Sequence, residues 1–141
     1  MRLLRRRVSQ DIEERLAADR RLAARYDDLL ARVGTADRAL RQAETEGRPI
    51  PGTHALVVAL DRALTEALQA AEAAERAAMG PATYPPADGS AQDVRAAEIA
   101  RRKARATSAV RPWSDEVDRL RTAREKHRLS YRVGRHLTAP S

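Results

Sequence analysis

The chain has 141 residues, of which 43% are hydrophobic and 33% charged, with a formal net charge of +7 and no cysteine. A chain of this length predicts one domain, and the lack of cysteine excludes disulfides, thiolate catalysis and cysteine-ligated metal sites. The longest aliphatic run, residues 55–60, is too short to cross a bilayer, and no apolar stretch of a signal peptide follows the basic residues 1–7. We therefore expect a cytoplasmic protein.

The charge is unevenly distributed along the chain. Residues 1–8 carry four arginines and no acid, and residues 9–94 carry 10 basic and 15 acidic residues. Residues 95–141 carry 13 basic and 5 acidic residues. This pattern of two basic ends around an acidic middle indicates that electrostatic contacts with a partner involve the ends.

The first helix is predicted from about Gln10 to Glu46, after a frayed basic leader at residues 1–8. Ser9 is the expected N-cap, followed by acids in the first turn where the helix dipole favours them. Apolar residues then recur with alternating spacings of 4 and 3, which is the seam of a coiled coil. The seam residues of this helix are Leu22, Tyr26, Leu29, Val33, Ala36, Leu40 and Ala43.

Gly34 and Thr35 offer a second interpretation of this stretch. Gly34 has the chemistry of a residue that ends a helix, and Thr35 that of a new N-cap. The seam nevertheless passes through Val33, Ala36 and Leu40 without losing phase. We therefore favour one continuous helix.

Residues 47–53 are the clearest turn, since two prolines and two glycines stop a helix and cannot propagate it. Thr53 is the expected N-cap of a second helix that ends at Met79. Its seam residues are Val57, Leu60, Leu64, Ala67, Ala71, Ala74 and Ala78. Because short loops join antiparallel neighbours, residues 9–79 are predicted to form a helical hairpin.

Residues 80–90 are predicted to be a linker, with Tyr84-Pro85-Pro86 as a proline-rich turn. Residues 91–141 follow as a basic helical region. Ser90, with Asp93 three residues on, is expected to cap a third helix that reaches about Val110. The expected apolar line of that helix is Ala96, Ile99, Ala106 and Val110.

Pro112 is predicted to end the third helix, and Ser114 to cap a fourth. Trp113, Val117 and Leu120 give the fourth helix an apolar start. The same phase then meets Arg124, His127 and Tyr131, so the face becomes amphipathic and basic. Residues from Gly134 to the end are expected to fray.

The sequence shows no catalytic constellation. None of the histidines, His54, His127 and His136, has a partner at metal-ligand spacing, and the glycines form no phosphate-binding loop. Ser9, Ser90 and Ser114 are interpreted as caps rather than nucleophiles. We expect a protein that is not an enzyme and uses no metal, cofactor or small-molecule substrate.

The predicted fold is all-α: a long antiparallel, coiled-coil-like hairpin followed by two shorter basic helices. The second helix of the hairpin is mostly alanine beyond Leu64 and buries little area. Either the last two helices therefore complete a four-helix bundle, or a second chain supplies the missing face. We expect a non-enzymatic assembly protein that self-associates or docks on a protein partner. The predicted interface is Leu22, Tyr26, Leu29, Val33, Leu40, Val57, Leu60, Leu64, Ala67 and Ala71.

The alternative is a nucleic-acid-binding accessory protein that contacts the phosphates of DNA or RNA through its C-terminal helices. Trp113 and Tyr131 would stack on bases. No helix-turn-helix, zinc-finger or RNA-binding sheet pattern is present in the sequence. The predicted contacts are Arg101, Arg102, Lys103, Arg105, Arg111, Arg121, Arg124, Arg128, Arg132 and Arg135.

Overall fold

The computed structural model describes residues 2–138, with the side chains of residue 3 and residues 5–131. Within this range the protein is all-α, as predicted, and contains no strand. No helix in the same range is both long and apolar enough to cross a bilayer. The elements are α1 (Arg2–Ala23), α2 (Tyr26–Thr45), α3 (Ile50–Met79), a 3-10 turn (Pro81–Thr83), α4 (Ala91–Arg105) and α5 (Arg111–Thr138).

The chain forms two compact units. Unit 1 comprises residues 1–25 and 70–116, and unit 2 comprises residues 26–69 and 117–141. The buried apolar side chains of unit 2 are Tyr26, Leu29, Leu40, Ala43, Leu60, Leu64, Ala67, Leu68, Val117 and Leu120. Those of unit 1 are smaller: Leu16, Ala70, Ala71, Ala73, Ala74, Tyr84, Ala97 and Val110.

The continuous first helix predicted from Gln10 to Glu46 is wrong. The helix begins already at Arg2, since nothing in residues 2–9 breaks a helix, and Ser9 lies inside it. It stops at Ala23, where the amide of Arg25 bonds the carbonyl of Leu22 at 3.0 Å. Leu16, the buried residue of α1, is out of phase with the seam that starts at Tyr26, and the break resets the phase. Gly34 stays helical.

The turn after α2 is closed by Gly47, as predicted. Its φ of +66° lies in the left-handed region, and its amide bonds the carbonyl of Glu44 at 3.1 Å. The amide of Arg48 bonds the carbonyl of Ala43 at 3.0 Å. This pair of bonds is a Schellman motif, which satisfies carbonyls that the helix end leaves free.

Replacing Gly47 with alanine is expected to lower the free energy of unfolding by about 1 kcal/mol, because the positive φ is costly for any residue with a Cβ. Gly52→Ala is the matched control. Gly52 lies in the first turn of α3, where a Cβ would meet nothing within 4 Å, so alanine should stabilise by about 0.5 kcal/mol. Urea denaturation of both variants checks the difference. If both substitutions change the free energy of unfolding equally, the left-handed conformation of Gly47 does not determine the effect.

Thr53 does not cap the second helix, because α3 begins at Ile50. Pro51 is tolerated in the first turn, where a backbone N–H has no helical partner to lose. The hydroxyl of Thr53 instead lies 3.4 Å from the carbonyl oxygen of Pro49.

The capping box at Ser90 and Asp93 is confirmed, since each side chain accepts the backbone N–H of the other. The rest of the prediction for α4 is partly wrong. The helix ends at Arg105 rather than Val110, and its buried residue is Ala97, whereas Ile99 is 50% exposed. The predicted apolar line was thin, and contact with the preceding turn selects the other side of the helix.

Pro112 does not end the third helix, and Ser114 does not cap the fourth, as was predicted. α5 begins at Arg111, so Pro112 lies in its first turn, and the amide of Ser114 bonds the carbonyl of Val110 at 3.1 Å. α5 continues to Thr138, beyond the expected fraying at Gly134. The predicted fraying at Pro140 lies outside the described residues.

The segment predicted as a linker is held by side chains of unit 1. The carboxylate of Asp19 accepts bonds of 2.9 and 3.0 Å from Arg76 and one of 2.6 Å from the hydroxyl of Tyr84. Arg15 donates to the carbonyl of Pro85, and its guanidinium lies 5.8 Å from the centre of the Tyr84 ring. Tyr84 is therefore a buried structural residue rather than an exposed ligand site.

Candidate interaction surfaces

α5 lies antiparallel to α3 in unit 2 and is joined to it by polar side chains. Arg128 donates two bonds to Asp61, of 2.7 and 3.2 Å. The Nε2 of His127 lies 2.9 Å from the carbonyl oxygen of Val57, which can only accept. Four residues before Arg128, the guanidinium of Arg124 reaches the hydroxyl of Thr65 at 3.5 Å. Later residues of α5 therefore contact earlier residues of α3, as expected for antiparallel helices.

Tyr131, at the end of this contact on α5, also contacts α2. The Tyr131 hydroxyl donates to a carboxylate oxygen of Glu44 at 2.9 Å, and its ring centre lies 4.9 Å from that of His127. Burial, and then this bond, raise the pKa of Tyr131 to about 12. The bond from Arg128 holds the pKa of Asp61 below its usual range. The face predicted from Arg124, His127 and Tyr131 therefore contacts the neighbouring helices.

A groove of about 1150 Å³ opens beside these contacts. Its lining includes Ile50, which is 72% exposed, and Val58, which is 43% exposed. Its charged lining holds three cations and three anions: Arg48, Arg62, Arg128, Glu44, Asp61 and Glu66. Large apolar side chains this exposed in a concave site are typical of an interaction surface.

Most of the predicted interface lies in the core. Within unit 2, six of the residues are buried: Tyr26, Leu29, Leu40, Leu60, Leu64 and Ala67. Val33 and Val57 are half-buried there, and in unit 1 Leu22 is half-buried and Ala71 buried. Of the predicted residues, Val57 lines the groove, so a partner there meets mostly other residues unless the helices separate. Ile50 and Val58 were missed because neither belongs to the seam, although an apolar residue beside a seam is a usable signal.

The predicted phosphate contacts fall into two sets. Those of unit 1, namely Arg101, Arg102, Lys103, Arg105 and Arg111, have no ion pair or hydrogen bond from their side chains among the described residues. In unit 2, Arg121, Arg124 and Arg128 already interact within the chain. The side chains of Arg132 and Arg135 lie outside the described residues. The eight cations with described side chains therefore differ in whether they already have a partner within the chain.

Comparison with known proteins identifies no relative, since no family model, curated protein or solved structure matches the chain. Among the described residues, no three His, Asp or Glu side chains are grouped as metal ligands would be. The candidate interaction surfaces are therefore the groove of unit 2 and the cations of α4.

Proposed function

We propose that the chain is a non-enzymatic helical assembly protein that self-associates through the groove of unit 2. In this proposal the hairpin is formed by α2 and α3, and α5 closes it. The exposure of Ile50 and Val58 carries the proposal, because both are large apolar side chains of a concave surface that the chain itself leaves open.

A second copy of the chain is favoured as the occupant by charge. The protein carries a net charge of +7, which opposes association of two copies. The groove is lined by equal numbers of cations and anions, so two copies can meet here without net repulsion. In a two-fold dimer the same patch meets itself, so cations of one copy can lie near anions of the other.

The shape of α3 also supports close approach. Ala55 and Ala59 are exposed on one side of Val58, outside the groove lining, and their small side chains let another helix come near the backbone. From Ile50 to Glu66 the lining of α3 extends about 24 Å, which is enough for four turns of a second helix. This is helix-in-groove recognition.

Adding charge to the groove tests the proposal. The double variant Ile50→Glu and Val58→Glu is expected to raise the dimer dissociation constant at least about tenfold, since burying two carboxylates beside apolar side chains is costly. Sedimentation velocity over a micromolar concentration series measures the constant.

The matched control is Val94→Glu with Ile99→Glu, which places the same charges on exposed apolar residues of α4. The control is expected to dimerise like the wild-type protein. Equal weakening in both variants would show that net charge, and not the groove, controls association. If the variant with Ile50→Glu and Val58→Glu dimerises as strongly as the wild-type protein, the proposed surface is wrong.

A further inference from the structure

One side of α4 presents a dense set of cations to solvent. Arg102, Lys103 and Arg105 are exposed, and with Arg95 and the half-buried Arg101 they make five cations in 15 residues. Such a helix is about 22 Å long. No ion pair or hydrogen bond engages these five side chains within the described part of the chain.

The packing of α4 explains why the cations stay accessible. The helix buries Ala97 and half-buries Ala100 and Ala104, so its opposite side faces solvent. At 3.6 residues per turn, Arg95, Arg102 and Arg105 lie within an arc of about 80° on that solvent side. Glu98 is exposed within the same arc, so this solvent side of α4 carries three arginines around one acid and is mainly cationic.

We propose that this face of α4 binds the phosphate backbone of a nucleic acid. Duplex DNA carries one negative charge per about 1.7 Å, so a stretch as long as α4 offers several phosphates at once. A folded protein surface presents acids more sparsely and mixed with cations. Contacts of this kind fix the protein on the backbone without reading the bases.

A membrane surface is less well matched to α4. Its exposed large apolar side chains are Val94 at 42% and Ile99 at 50%, and it contains no aromatic residue. A helix that lies in a membrane interface needs a broad apolar face with Trp, Phe or Leu. The chemistry of α4 is thus mainly electrostatic.

Phosphate binding is assigned to α4 alone, although cations of α5 were also predicted to contact phosphates. Arg128 is committed to Asp61, and Arg124 to Thr65, in the contact that holds α5. The assignment is independent of the groove, so a monomeric protein is also expected to bind.

The test compares two triple variants of the full chain with equal charge change. One replaces Arg102, Lys103 and Arg105 with glutamine, and the other replaces Arg20, Arg32 and Arg38, which are exposed outside α4. Fluorescence anisotropy with a short labelled DNA duplex, and with RNA of the same sequence, gives the dissociation constant between about 50 and 200 mM salt.

The α4 variant is expected to bind at least about tenfold more weakly than the wild-type protein, and its salt slope on DNA should fall by about 2.7, or 0.9 for each lost phosphate contact. The other variant should keep most of the affinity. Circular dichroism verifies that both remain helical.

Three results would overturn the proposal: no binding of the wild-type protein to DNA or RNA at about 50 mM salt, equal weakening in both variants, or tighter binding to phosphatidylserine vesicles or polyglutamate than to the duplexes. The second would mean attraction by net charge alone. The third would mean a membrane or an acidic protein as the partner.

Discussion

Replacing Leu40 with alanine is expected to lower the free energy of unfolding by about 3 kcal/mol, one of the largest single effects in unit 2. Leu40 is only 2% exposed and belongs to the core of unit 2, which is made mostly of large apolar side chains. The change removes three buried carbons, and the surrounding helices cannot collapse fully into the space. Chemical denaturation followed by circular dichroism measures the loss.

Leu129→Ala provides the matched control for this prediction. Leu129 belongs to the same unit but is 47% exposed, so its loss should cost less than about 1 kcal/mol. If Leu40→Ala costs as little as Leu129→Ala, Leu40 is not in a packed core, and the arrangement of unit 2 is wrong.

Replacing Asp19 with alanine is expected to lower the free energy of unfolding by about 2–3 kcal/mol. The Asp19 side chain is 14% exposed and accepts bonds from both Arg76 and the buried Tyr84. Without it, the Tyr84 hydroxyl loses its acceptor in the interior of unit 1. Tyr84→Phe removes the hydroxyl itself, so no buried donor is left without an acceptor. It should therefore cost less, about 1 kcal/mol. The double variant should therefore cost less than the sum of the two single changes.

The acid dependence of Asp19 provides a second measurement. Burial raises the pKa of Asp19, but hydrogen bonds from Arg76 and Tyr84 outweigh it and leave the pKa below the usual range. A carboxyl whose pKa is lower in the folded chain stabilises it fully above the unfolded value, near pH 4, and loses this effect as the pH falls through the folded value. The stability difference between the wild-type protein and Asp19→Asn should be large at neutral pH and shrink below about pH 4. A difference that does not change with pH would contradict the ion pair.

Elements with strong local chemistry were predictable from the sequence. The stop at Gly47 and the capping box at Ser90 follow from backbone conformation and from single side-chain bonds, which neighbouring residues specify. Leu29, Leu40 and Leu64 were correctly expected to face apolar surroundings, because their spacing is fixed by the helical repeat.

The break between α1 and α2 was not predictable in the same way. No glycine or proline stands at residues 24–25, and only the change of phase between Leu16 and Tyr26 marks the position. Gly34, a stronger local signal, stays helical because the seam on both sides of it has the same phase. Packing outweighed residue preference at both places.

The candidate surfaces depended on long-range contacts that the sequence does not show. The cations of α4 and α5 look alike in sequence, yet Arg128 finds Asp61 67 residues away, whereas Arg102 finds no acid among the described residues. Ile50 looks like part of a turn until the start of α3 places it at the mouth of the groove. Only the fold separates cations that hold helices together from those that remain free for a partner.

The molar mass of the wild-type protein in solution tests self-association most directly. Light scattering across a dilution series should give about 31 kDa at high micromolar concentration and approach the 15.6 kDa of one chain on dilution. A folded protein that stays at 15.6 kDa at every concentration would contradict the proposed assembly through the groove.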